Sequence, residues 1–148
     1  MITKSANASW KGNFINGKGT FSVQSGTIKD APYDVAKRFG NEKGANPEEL
    51  IAAAHATCYS MALAADLIKA GYAPETINTV DKVNLEKKDN GFEIVKIEVV
   101  CEAQVNNITE QEFLKIAEET KKTCPVSKAL KAVPFELSAK LLSAGAVS

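Results

Sequence analysis

The sequence predicts an α+β fold with antiparallel sheet. Three observations carry this: strand-like runs broken by glycine and asparagine over the first 45 residues, a long alanine-rich helical segment, and a later hairpin whose second strand alternates strictly. Strands in a group, followed by helix, hairpin, helix and strand, form segregated layers rather than alternating βαβ units. The 148 residues suit one domain spanning 1–148, long enough to bury a sizeable core.

In chain order, "ASWKGNFINGKGTFSVQSG" holds two short runs separated by "NGKG", whose Asn and Gly favour a hairpin turn. A third extended piece is expected around Pro32 to Phe39. Asn46 then suits a helix N-cap, Pro47 the first helical position, and Glu49 stands three past the cap. The helix should run to about Ala70, with Gly71 as its stop. It is apolar almost all round, from Leu50 and Ile51 through Tyr59, Met61 and Leu63 to Leu67 and Ile68. So narrow a polar face means burial on most sides, and one small domain does not readily surround such a helix, which points to a partner subunit. Next comes a hairpin turning at Asn90-Gly91. In its second strand Val95, Ile97, Val99, Cys101, Ala103 and Val105 share one face, while Lys96, Glu98, Glu102 and Gln104 share the other. Thr109 and Glu112 have capping-box spacing ahead of a helical stripe of Phe113, Ile116, Ala117 and Thr120. "CPVSKALKAV" should form a short second helix after a break at Pro125. A strand with Phe135, Leu137, Ala139 and Leu141 on one face closes the pattern.

Composition narrows the function. Eighteen basic and eighteen acidic residues cancel, which leaves no electrostatic footprint for nucleic acid or an anionic membrane. "MITKSANASW" lacks the apolar core of a secretion leader, and Leu50 to Ile68 carries His55, Ser60 and Asp66, so it reads as a buried helix rather than a span. Three cysteines, an odd number, argue against a disulfide-stapled fold. Reduced thiols in a cytoplasmic protein are the expectation.

The chemistry therefore centres on cysteine. Cys58 is either a small buried hydrophobe or a reactive thiol. His55 lies one helical turn earlier on the same face, and Arg38, Glu42, Lys43, Glu48 and Glu49 precede the helix. A cation beside a thiol favours the thiolate, which is the nucleophile. Cys124 sits at a helix break, where a resolving thiol could move, or is an ordinary helix-end cysteine. Cys101, on the apolar face of its strand, is assigned to packing. Arg38 is either a solvated loop arginine or a guanidinium held by Glu48 or Glu49. His55 could be the base of a cysteine hydrolase or a metal ligand. Zinc needs three or four ligands, and this chain has one histidine and no C-x-x-C, so no metal is expected. A partly buried histidine bonded to backbone is the preferred reading.

"RFGNEKGANPEELIAAAHATCYSMAL" and "CPVSKALKA" closely resemble the OsmC/Ohr family, the osmotically inducible protein C and organic hydroperoxide resistance proteins. The opening "WKGNFINGKGTFSVQSG" and "GYAPETI" are similar too, so the resemblance covers nearly the whole chain. The "RF-x-x-EKG-x-NPEEL" run, the His55-x-x-Cys58 pair, and Lys18 in place of an Ohr-type turn arginine incline it to the OsmC branch. The resemblance implies an OsmC-like fold, with sheets packed on a long central helix in an intertwined homodimer whose active sites form between subunits. It also implies a thiol peroxidase for organic hydroperoxides, with hydrogen peroxide a poorer substrate. Cys58 would be peroxidatic and Cys124 would condense with it to a disulfide. Arg38 would stabilise the thiolate and the developing oxyanion, and Glu48 rather than Glu49 would hold Arg38. No cofactor is implied, and an external dithiol, in some relatives a lipoyl protein, would be the reductant. The alternative is a redox-sensing or stress-related binding protein using the same cysteines without turnover.

Overall fold

The structure is a computed structural model describing residues 1–142; residues 143–148 of the expected domain lie outside the described residues. The fold is α+β, with two three-stranded sheets and one long helix. The chain divides into two compact units, Met1–Leu50 and the residues from Ile51 onward.

In the first unit β1 (Ala6–Lys11), β2 (Lys18–Val23) and β3 (Ala31–Tyr33) form an antiparallel sheet with β2 central. The extended piece expected through Phe39 stops at Tyr33, and Val35–Phe39 is instead a short helix, α1. The physical reason is Asp34. Its Oδ1 accepts the Lys37 backbone N–H at 2.9 Å, an N-cap, and its Oδ2 accepts from Lys18 Nζ at 2.8 Å and Lys37 Nζ at 2.9 Å. Those two lysines and the Lys37 amide hold the Asp34 carboxyl well below the usual carboxylate range. Lys18 thus ties the β1–β2 hairpin to the cap of α1.

Helix α2 (Pro47–Lys69) starts as its sequence predicts, with Asn46 Oδ1 accepting the Glu49 N–H at 2.9 Å. It ends in a Schellman motif: Gly71 N donates to Ile68 O and Tyr72 N to Leu67 O, at 3.0 and 2.9 Å. Gly71 has φ +94°, a conformation a Cβ would oppose.

In the second unit β4 (Pro74–Lys88) and β5 (Gly91–Val105) form the long hairpin, closed by Asp89-Asn90 with Gly91 opening β5. Then come α3 (Glu110–Thr123), α4 (Pro125–Ala129) and β6 (Phe135–Leu142). The expectation of antiparallel sheet fails at one pair: β6 runs parallel to the central strand β5. The α3–α4 crossover between them carries the chain back to the end at which β5 began, as parallel pairing requires.

The core of this unit joins one stripe of α2 (His55, Tyr59, Leu63, Leu67) to the alternating face of β5 and to Phe113 and Ala117 of α3. Each fully buried large apolar side chain contributes about 1.5–3 kcal/mol. Polar bridges fix the helix within that core. Tyr59 donates to Ala117 O at 2.9 Å, Thr120 donates to Asp66 at 2.6 Å, and the Ser60 and Thr79 hydroxyls meet at 2.7 Å. By length and composition α2 could cross a membrane, but this stripe packs into protein. The opposite stripe does not: Ala53, Ala54, Thr57 and Ala65 are exposed, and Met61 and Ile68 are 75% and 64% exposed.

Candidate active site

Two groups of the expected site residues assemble, one in each unit. In the first, Arg38 projects from α1 and Glu48 from the first turn of α2. Arg38 Nη2 and Nε donate to the two Glu48 carboxylate oxygens at 2.7 and 3.2 Å, a bidentate pair. Glu48 is buried, and Arg38 keeps 35% of its side chain exposed, so the guanidinium is held yet accessible. Glu49 is exposed and contributes its amide to the helix cap instead. Position explains the division: Glu48 faces inward and Glu49 outward in the same turn. The Arg38 guanidinium also lies over the Phe39 ring, 5.1 Å from its centroid. A cavity of about 280 Å³ opens beside it, walled by Trp10, Phe14, Tyr33 and Phe39. Tyr59 and Met61, although close in sequence to Cys58, do not line this cavity. Tyr59 is buried with its hydroxyl bonded, and Met61 lies on the exposed stripe of α2.

In the second unit the cysteines meet. Cys58 Sγ on α2 and Cys124 Sγ, at the junction of α3 and α4, are 3.1 Å apart. Both are thiols; a disulfide would hold the sulfurs at about 2.05 Å. Cys58 is half-buried and Cys124 fully buried. Burial pushes the Cys58 thiol up, and a second ionisable sulfur in contact adds to this; the Val126 N–H, bonded to the Cys58 sulfur, opposes both. The second unit therefore does not by itself make Cys58 a ready thiolate. Cys124, which the sequence suggests as mobile at a helix break, is packed in the core, with its amide donating to Thr120 O at 2.9 Å. Cys101 is buried on β5, and burial pushes its thiol up as well.

His55 departs from expectation. It is wholly buried, and it bonds side chains rather than backbone: Nδ1 to Asp81 of β4, and Nε2 to Ser127 Oγ of α4 at 2.7 Å. Its second nitrogen faces a serine and not Cys58, which removes the geometry a Cys58–His55 hydrolase needs. Sequence reading missed Asp81 and Ser127. The available signal was Asp81's phase: Ile77, Thr79, Asp81 and Val83 alternate on the inward face of β4, and an acid among inward positions needs a buried partner. Among the described residues no three His, Cys, Asp or Glu side chains converge as a metal site.

A family model described as OsmC-like protein matches residues 40–138. The chain is 47% identical over 131 residues to the peroxiredoxin OsmC of Escherichia coli K12, covering 88% of this chain and 92% of that one. It is 39% identical over 94 residues to organic hydroperoxide resistance protein-like 1 of Staphylococcus saprophyticus, covering 60% and 62%. An organic hydroperoxide resistance protein of Elizabethkingia anophelis has a TM-score of 0.70 at 25% identity, over 95% of this chain and 96% of the other. An OsmC-like protein of Mycoplasma pneumoniae, TM-score 0.75 over 96% and 99% at 14% identity, shares the fold. With a family match over 40–138 and this identity across most of both chains, the chain belongs to the OsmC-like protein family.

Proposed function

We propose that this protein is a thiol-dependent peroxidase that reduces organic hydroperoxides, and hydrogen peroxide less well. The observation that carries the reading is the contact of Cys58 and Cys124 at 3.1 Å. The names of the peroxiredoxin OsmC and hydroperoxide-resistance relatives support it. Cys58, as thiolate, attacks the terminal oxygen of the hydroperoxide: an S–O bond forms, the O–O bond breaks, and the alkoxide leaves and takes up a proton as alcohol. Cys124 then attacks the Cys58 sulfenic acid: the S–S bond forms and the oxygen leaves as water. An external dithiol, of the lipoyl type or similar, returns two electrons by exchange. Arg38, held by Glu48, is the cation that favours the thiolate and the leaving oxyanion. The aromatic cavity beside it suits an alkyl or aryl group. The compartment is a reducing one such as the cytoplasm.

The working unit is a homodimer. The exposed stripe of α2, with Met61 and Ile68, is more apolar surface than an isolated helix keeps in water, and a second copy covers it. Met61→Lys should move the protein from dimer to monomer in light scattering; an unchanged dimer would put the interface elsewhere.

The reading is tested by intact mass and thiol counting after one equivalent of cumene hydroperoxide without reductant. Loss of two thiols, mapped to Cys58–Cys124, is the expected result. Unchanged thiols would end the peroxidase reading, and a disulfide that forms without turnover on added dithiol would make the protein a redox sensor.

A further inference from the structure

We propose that the buried chain Asp81–His55–Ser127 is a positioning device: it pins α4 to α2 and so sets how closely Cys124 stands to Cys58. Its purpose rests on the peroxidase reading; its test does not.

The three residues come from three elements, the middle of β4, the first half of α2 and the single turn of α4. His55 Nδ1 is hydrogen-bonded to Asp81 Oδ2, and Nε2 to the Ser127 hydroxyl at 2.7 Å. The ring stacks on Tyr59 at 5.9 Å between centroids and lies 4.6 Å from Phe135. His55 is fully buried and Ser127 nearly so. The order of links is that of a hydrolase triad; here Ser127, 6% exposed on the wall of a cavity of about 640 Å³, serves to hold α4 to α2.

The spacing gives the device its effect. Cys58 follows His55 by three residues on α2, and Ser127 follows Cys124 by three at the start of α4. The two segments are therefore joined twice in register, His55 to Ser127 at 2.7 Å and Cys58 to Cys124 at 3.1 Å. The Val126 amide reaches the Cys58 sulfur between the two links. Helix α4 has five residues, too few to hold its own geometry, so its distance from α2 is set by tertiary contacts, the His55–Ser127 bond beside the packing of Val126 on the core. The anchor carries a cost: Asp81 Oδ1 is buried without a hydrogen-bond partner among the described residues, and such an orphan is unfavourable. Holding two reacting groups in contact raises their effective concentration steeply, and here the second link does the holding.

The test measures the Cys58–Cys124 disulfide equilibrium in glutathione redox buffers, where glutathione disulfide takes up two electrons and yields two thiols. Ser127→Ala should lower that equilibrium constant about tenfold, because releasing α4 lowers the effective concentration of the Cys124 sulfur at Cys58. Ser127→Thr and Ser127→Val have the same shape and differ in the hydroxyl, so Thr should stay within about threefold of wild type while Val falls with Ala. Far-UV circular dichroism checks that each variant is folded; if Ala is not, the Thr–Val pair decides. Dimedone trapping after hydroperoxide should detect a longer-lived Cys58 sulfenic acid in the variants lacking the hydroxyl. Equal constants for Thr and Val, or no fall in Ala, would overturn the proposal, as would a wild type that forms no Cys58–Cys124 disulfide in glutathione. A wild type that forms the disulfide from glutathione but not from hydroperoxide would remove the peroxidase reading and leave the positioning role to the variants.

Discussion

Cys58→Ser is expected to abolish hydroperoxide turnover, and Cys124→Ser to leave one fast oxidation followed by slow, failing turnover. Serine is not ionised near neutral pH and is a far weaker nucleophile than a thiolate, so nothing in the variant attacks the O–O bond. Cys124→Ser keeps the attack but removes the sulfur 3.1 Å away that captures the sulfenic acid. The sulfenic acid then waits for an external thiol and meets further peroxide meanwhile, advancing to sulfinic acid, which a dithiol does not reverse. Cys101→Ser is the control. Cys101 is buried on β5 with its thiol pushed up, and turnover per folded molecule should be unchanged. Hydroperoxide consumption in excess dithiol, with sulfinic acid followed as a gain of 32 mass units, reads all three. Residual fast turnover in Cys58→Ser would remove that residue from the first step.

Much of this arrangement is legible in the sequence wherever a local rule carries it. The α2 start at Asn46-Pro47 and its stop at Gly71 are capping chemistry, and the inward face of β5 is strict alternation; the structure has both where the residues place them. Helix α1 was not legible because five residues give no periodicity, and its one signal is the Asp34 cap. Direction of pairing was not legible for β6 either. Its alternation is the same parallel or antiparallel, and the direction follows from the α3–α4 crossover. The candidate site divides in the same way. Cys58, Cys124, Arg38 and Glu48 stand in recognisable motifs, whereas the partners of His55 come from positions 81 and 127, which only the folded chain brings together.

Arg38→Ala is expected to slow the peroxide step by about 10²–10³-fold, the usual loss on removing one positioned electrostatic group. The pH profile says how that loss divides. Burial first, then the Cys124 sulfur, pushes the Cys58 thiol up, and the Val126 amide opposes them only in part. A cation acting on the sulfur lowers its pKa, so losing the cation raises it, and the thiolate fraction at neutral pH falls tenfold for each unit of the rise. This part of the loss should disappear as pH climbs above the variant's thiol pKa, where both proteins are fully thiolate. Part of it is also returned at once, because a more basic thiolate is intrinsically more nucleophilic. The part due to the leaving oxyanion has no such recovery. The second-order rate constant of Arg38→Ala, followed by stopped flow from pH 6 to 10, should therefore rise more steeply than wild type and level off below it. Glu48→Gln should show a smaller loss with the same shape, because it leaves the Arg38 cation in place but loosens the bidentate hold at 2.7 and 3.2 Å. A variant that reaches the wild-type plateau would confine Arg38 to thiolate formation, and one at full rate across the range would remove it from the mechanism.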